Sequence, residues 1–375
     1  MTNHNANNER IKRQYFIYLK QAKRHSEPTV DAVAKALARF EEDTKYRDFR
    51  SFHFKQAIAF KDRLTGQENL QTGQKLSKAT LHATLAALKA FFHWLAGQPG
   101  YKSRFQYSDA DYFNLSEKDV RVATAKREQS VPTVDQIKHV IATMPTGSEI
   151  QRRDRALMAF TLLTGARDSA IASMKLKHID LQAGCVHQDA REVKTKFSKT
   201  FTTYFFPVGD DIRQIVAEWV TFLRAESLWG NDDPLFPATR VAPGPNHQFQ
   251  VMGLERTHWG SAARIRMVFR EAFTAAGLPY FNPHSFRNTL VRLGQTVCQT
   301  PEQFKAWSQN LGHEKVLTTF LSYGQVETPR QGAIIQALRN SKAPLIPLQS
   351  DMAQFVKEFA RAMQASGMQV TDKNE

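Results

Sequence analysis

His284-Ser285-Phe286-Arg287, Leu311-Gly312-His313 and Tyr323 decide the reading of this 375-residue chain. Upstream, Thr164-Gly165-Ala166-Arg167 sets a further arginine at the end of an apolar helical stretch. Two arginines, two histidines and a tyrosine are the side chains needed to break a phosphodiester without a metal. Arginine forks hold and neutralise phosphate oxygens, a tyrosine hydroxyl attacks phosphorus, and histidines move protons and donate hydrogen bonds. Taken singly each is ordinarily structural: an arginine after a helix, a histidine at a helix start, a packed tyrosine. The ordered set carries the signal.

Local sequence explains how each would be presented. His284 and Arg287, three apart, share a helix face. Asn282-Pro283 starts that helix, so both residues fall in its first turn, where unpaired amides favour an anion. Gly165 and Gly312 end helices, which leaves Arg167 and His313 at bends facing a cleft. Tyr323 is the only tyrosine after His313.

Working outward, the first hundred residues read as helical. Val30, Val33, Ala34, Leu37 and Phe40 mark one helical face, and a second helix is expected over 54–64. A third starts after Ser77 as N-cap, aligns Leu81, Leu85, Leu88, Phe91, Phe92 and Leu95, and stops at Gly97. These aromatics read as core, so contacts to a polyanion should fall to the basic residues Lys55, Lys61, Arg63, Lys75 and Lys78. Between 107 and 132 periodicity fades and charges crowd, which reads as a linker. Thr133-Val134-Asp135-Gln136 is a capping box that opens the second domain, and Thr300-Pro301-Glu302-Gln303 is another. A helix is expected over 152–163, and a small antiparallel sheet from 185–195 and 201–208, with further helices from Ile212 onward. The stretch 234–253, with four prolines, reads as a loop.

Fifty-one Lys+Arg against 36 Asp+Glu leave a formal charge of +15 and a pI near 9.8, which favours a polyanionic partner. The two cysteines, Cys185 and Cys298, lack zinc-site spacing and read as buried thiols in a reducing compartment. No apolar run reaches bilayer length and the polar first ten residues do not form a secretory signal. No membrane partner and a cytoplasmic, nucleoid-associated location are therefore expected. There is no GxxxxGK loop and no carboxylate cluster for a two-metal site.

With these boxes in this order, the chain resembles the tyrosine recombinases of the phage-integrase type. The resemblance is strong over roughly 132–338 and includes Thr318-Thr319 before Tyr323. It reaches back loosely to Ala57-Ile58-Ala59-Phe60-Lys61-Asp62-Arg63-Leu64 and Phe91-Phe92-His93-Trp94-Leu95. It implies a mainly α fold with a small antiparallel β-sheet in the catalytic domain, arranged as a two-domain DNA clamp. The expected division is a helical core-binding domain at 1–115, a linker at 116–130, the catalytic domain at 131–340 and a tail at 341–375. That tail carries a predicted helix with Met352, Phe355, Val356, Phe359 and Met363 on one face.

The family's functional residues map onto Arg167, His284, Arg287, His313 and Tyr323, with one lysine on the predicted hairpin. Three lysines stand there, Lys194, Lys196 and Lys199, and alternation puts Lys194 and Lys196 on one strand face. The family pattern of lysine followed by threonine favours Lys194, with Lys196 and then Lys199 as the alternatives, and these two are also backbone-contact candidates. The implied reaction passes through a 3′-phosphotyrosyl link without metal, ATP or other cofactor. The implied partners are double-stranded DNA at a specific site, four protomers on two such sites, and accessory DNA-bending proteins. A type IB topoisomerase and a non-catalytic DNA-binding protein on the same fold are the alternatives.

Three departures stand out. Asn288 replaces a second histidine, Ala170 replaces an acid that braces the first arginine, with Asp168 its nearest substitute, and one extra residue separates His313 from Tyr323.

Overall fold

The computed structural model describes residues 4–68, 73–125, 130–243 and 248–313. It divides into two compact units, Met1–Arg127 and Glu128–Glu375. Among the described residues no helix is long and apolar enough to cross a membrane.

The first unit is helical: α1 (Ala6–Ile17), α2 (Glu27–Asp43), α3 (Phe54–Gly66), α4 (Lys78–Ala96) and α5 (Glu117–Thr124). Ser77 caps α4 by accepting from the Thr80 amide, and Gly97 follows its last turn. The aromatics expected in the core are there: Phe40, Phe60, Phe91 and Phe92 are all buried. Phe52 stacks on Phe92 with ring centroids 3.9 Å apart. Each such ring contributes about 1.5–3 kcal/mol by leaving water, enough to hold a small helical unit. The buried Asn8 ties α1 to the chain after α2, donating to the Arg47 carbonyl and accepting the Phe49 amide, each at 2.9 Å. The stretch read as a linker is largely structured. A 3₁₀ segment, Tyr107–Phe113, and α5 pack on α4. No residue of α5 is buried, so its sequence lacks the apolar periodicity that reveals a helix.

In the second unit α6 (Val134–Thr143) begins at the Thr133–Gln136 capping box, and α7 (Glu149–Thr164) runs through the centre. Eleven of the sixteen α7 residues are buried, so the helix is surrounded by its neighbours, among them α6, α9 and α11. The short α8 (Asp168–Ile171) follows, then a three-stranded antiparallel sheet in the order β1-β2-β3 (Ile179–Asp180, Cys185–Gln188, Phe201–Tyr204). After α9 (Asp210–Thr221) come β4 (Ala238–Pro243) and β5 (Phe249–Glu255), and then α10 (Ala263–Ala275), α11 (Pro283–Val297) and α12 (Pro301–Asn310).

Two expectations are corrected here. The stretch read as a loop contains the β4–β5 hairpin, whose exposed Val241, Phe249 and Val251 break the usual inward and outward alternation. The strands of the sheet are also shorter than expected, since 189–200 connects β2 to β3 outside the ladder. Both cysteines are free thiols. Cys185 is buried as expected, whereas Cys298 is only partly so.

Candidate active site

Arg167 owes its position to a left-handed turn. α7 ends at Gly165, whose φ of 59° favours glycine, and its amide bonds back to the Thr161 carbonyl. Space makes the same demand. A Cβ on Gly165 would lie 2.9 Å from Leu290 Cδ1 and 3.0 Å from Leu311 Cδ2. The chain then extends through Arg167, the N-cap of α8. Asp168, the nearest acid to the missing brace, accepts from the Ser169 amide and from Arg266 Nε on α10, both at 2.8 Å.

Arg287 joins the ends of two helices. It is 2% exposed on α11, where its Nη1 donates to the Gly165 carbonyl and its Nη2 to the Leu311 carbonyl at 2.6 Å. The same Nη2 lies 3.2 Å from His313 Nε2. An arginine only donates, so His313 accepts there and its ring proton sits on Nδ1. His313 follows Gly312, whose φ is 71° and whose hypothetical Cβ would lie 2.7 Å from Phe201 Cζ on β3. Asn310 fixes this end of α12 to the same strand, accepting from the Tyr204 amide and donating to its carbonyl. Burial, then the Arg287 and Arg167 charges, push the His313 imidazole down to about 4. It is neutral at neutral pH.

His284 lies in the first turn of α11, which Asn282 caps by accepting from the Ser285 amide. Burial and the charges of Arg287 and Arg167 lower its pKa as well. Arg167, His284, Arg287 and His313 thus lie within electrostatic reach of one another, on the ends of three helices.

The lysine candidates correct a further expectation. None of them is on a strand, so alternation does not relate Lys194 to Lys196. Lys196–Ser198 forms a 3₁₀ turn, with Phe197 and Ser198 at φ of 61° and 51°. Lys196 Nζ sits over the Phe197 ring, 4.8 Å from its centroid, and the Lys199 carbonyl accepts from Thr195 Oγ1. Lys194 differs: its backbone amide donates to Ser173 Oγ at 2.9 Å, which binds it to the segment that opens with Arg167. Sequence reasoning missed Ser173, because the contact spans twenty-one residues and has no local motif.

Among the basic residues of the first unit, Lys61 donates to the Tyr112 and Asn114 carbonyls at 3.0 Å each and braces the turn before α5. Arg63 pairs with Asp43, and Lys78 with Asp119 at 2.8 Å. Lys55 and Lys75 are exposed. Thr318-Thr319, Tyr323 and the expected tail helix lie outside the described residues.

Comparison with known proteins agrees with this architecture. The family model of the phage integrase family matches residues 131–330, and that of the phage integrase N-terminal SAM-like domain matches residues 13–98. Tyrosine recombinase XerC of Lactobacillus delbrueckii subsp. bulgaricus is 24% identical over 313 residues, covering 82% of this chain and 92% of the relative. Tyrosine recombinase XerD of Neisseria meningitidis serogroup B is 26% identical over 202 residues, covering 52% and 59%. A lambda integrase dimer bound to a COC′ core site superposes with a TM-score of 0.57 at 15% identity, covering 91% of this chain and 80% of that one. XerH bound to palindromic difH substrate in a post-cleavage complex gives 0.55 at 16% identity, covering 88% and 85%. At these identities the structural likeness speaks for the fold. The family match spans more than half of the sequence, and this chain belongs to the phage integrase family.

Proposed function

We propose that this protein is a site-specific DNA recombinase that cleaves and rejoins strands through a 3′-phosphotyrosyl intermediate. The observation that carries the reading is the meeting of Arg287 with His313 at the turn that presents Arg167, with Lys194 hydrogen-bonded to the segment that follows. The hydrogen-bonded Arg287 guanidinium and the Arg167 guanidinium within electrostatic reach, beside two imidazoles whose pKa values are lowered, suit a scissile phosphate, whose charge grows in the transition state. The relatives named as tyrosine recombinases point the same way.

In the proposed reaction Tyr323 Oη forms a bond to phosphorus as the bond from phosphorus to the 5′-oxygen breaks. His284, kept neutral by its surroundings, takes the tyrosine proton, and Lys194 gives a proton to the leaving 5′-oxygen. Arg167, Arg287 and His313 hold the non-bridging oxygens. Rejoining is the reverse attack by a 5′-hydroxyl of another strand. The phosphotyrosine keeps the energy of the broken ester, so the cycle requires neither ATP nor metal. Each unit contacts duplex DNA chiefly through its phosphates, with Lys55, Lys75, Lys196 and Lys199 as backbone contacts. Four protomers act on two sites, with DNA-bending proteins as accessories, in the cytoplasm at the nucleoid.

Tyr323→Phe tests this directly, because it removes one oxygen and keeps the ring. Binding to duplex DNA should persist, while the denaturant-resistant protein–DNA adduct on a nicked suicide substrate should vanish. An adduct formed by the Phe variant would place the nucleophile elsewhere. Relaxation of supercoiled DNA without joining of two duplexes would instead indicate a topoisomerase.

A further inference from the structure

We propose that Ser173 and Glu192 are positioning residues for Lys194. The inference rests on the reading above, in which Lys194 is the acid. An acid on an exposed, flexible side chain gains little unless its backbone is fixed, because the ammonium must otherwise find the leaving oxygen from many conformers.

Lys194 stands where the chain leaves the core. Val193 before it is 2% exposed, and its amide donates to the Asp189 carbonyl at 2.7 Å. The Ser173 hydroxyl, 9% exposed, donates to the Ala170 carbonyl at 3.0 Å, which turns a lone pair toward the Lys194 amide. The Ile171 amide in turn donates to the Arg167 carbonyl at 2.9 Å. A short run of bonds therefore connects the backbone of the lysine to that of the first arginine.

Glu192 holds the other side. Its Oε2 accepts from His178 Nε2 at 2.9 Å, and its Oε1 from Lys177 Nζ at 2.8 Å and Lys175 Nζ at 3.3 Å. His178 is 4% exposed, and its Nδ1 accepts the Lys175 amide at 2.9 Å. That bond leaves the ring proton on Nε2, which donates to the carboxylate. Hydrogen bonds from Lys177 and His178 hold the Glu192 carboxyl down at about 2, so the anchor is ionised across the working pH range. Beyond Lys194 the loop changes character: Phe197 is 77% exposed and left-handed. The bonds to Ser173 and His178 on the preceding segment end at the lysine proposed to act. After it Thr195 bonds within the loop itself, to the Lys199 carbonyl at 2.7 Å, and Lys196 lies against the exposed Phe197 ring.

The test compares wild type, Ser173→Ala, Glu192→Gln, Lys194→Ala and the double variant S173A/K194A at saturating DNA. Each is measured on an ordinary scissile ester and on a 5′-bridging phosphorothioate, whose sulfur leaves without a proton. Ser173→Ala and Glu192→Gln should slow the ordinary ester about tenfold and the phosphorothioate little, a fraction of the roughly hundredfold that misplacement can cost. S173A/K194A should be no slower than Lys194→Ala alone. Trypsin should cut the Lys194–Thr195 bond of the full chain faster in both single variants. Equal loss on the two substrates, or full additivity in the double variant, would overturn the proposal. If Lys194→Ala itself loses equally on both, the assignment of Lys194 as acid fails. The nicking rate then decides separately whether the anchor exists, and an unchanged rate refutes it. Should Ser173→Ala not fold, Glu192→Gln carries the same comparison from a more exposed position.

Discussion

Replacing Gly165 by alanine adds one methyl group at the point where the arginine machinery is assembled. At a φ of 59° an L-residue pays about 1–2 kcal/mol for the left-handed conformation. The new Cβ would also stand 2.9 Å from Leu290 and 3.0 Å from Leu311, side chains with no exposed surface. Overpacking of a filled core adds about 1–3 kcal/mol. Together these cost about 2–5 kcal/mol. For a unit of this size that lowers Tm by about 4–20 °C, at about 2–4 °C per kcal/mol. The catalytic loss should exceed what stability alone explains, because the Gly165 carbonyl accepts from Arg287 and the turn cannot relax without moving that guanidinium. A shift of about 1 Å costs on the order of a hundredfold in rate. Thermal unfolding of the full chain, paired with single-turnover adduct formation well below Tm, measures both. A variant with Tm within about 1 °C of wild type and an unchanged rate would refute the packing argument and the role given to the turn.

Arg287→Lys keeps the charge but loses the fork, so one of the two carbonyls it serves goes unpaired at a cost of about 1–3 kcal/mol. Adduct formation should fall by on the order of a hundredfold, and full activity would show that the charge alone suffices. The pH dependence follows from His313, held at about 4 against an ordinary 6.5. Between these values the unfolded chain binds a proton that the folded chain does not. Stability should therefore decline as pH falls through that window and level off below about 4 as far as this residue is concerned. Denaturant titrations of wild type and His313→Asn check this, and equal slopes in the two proteins would contradict it.

Several elements could be read from the sequence because their determinants are local. Ser77, Thr133 and Thr300 each accept from the amide three residues on and start the helices their motifs announced. Asn282-Pro283 likewise fixes the helix that carries His284 and Arg287. What could not be read depends on distant partners or on exposure. The β4–β5 hairpin gives no alternating signal because both its faces carry exposed residues. The bond from Lys194 to Ser173 and those from Glu192 to His178 and Lys177 join residues with no shared periodicity. The sequence marks Arg287 as a candidate phosphate ligand, but its donation to two backbone carbonyls carries no sequence signal.

Because Arg287 holds the carbonyls of Gly165 and Leu311 inside the core, natural selection for a folded unit preserves it whether or not strands are cut. Lys194 is exposed, and substitutions at exposed positions usually change stability by less than about 0.5 kcal/mol. In a gene no longer selected for strand cutting, the loop lysine would therefore erode early and the buried arginine late. A silent descendant would still display an intact His-Ser-Phe-Arg box, and the loop lysine would be the better marker separating working copies from relics.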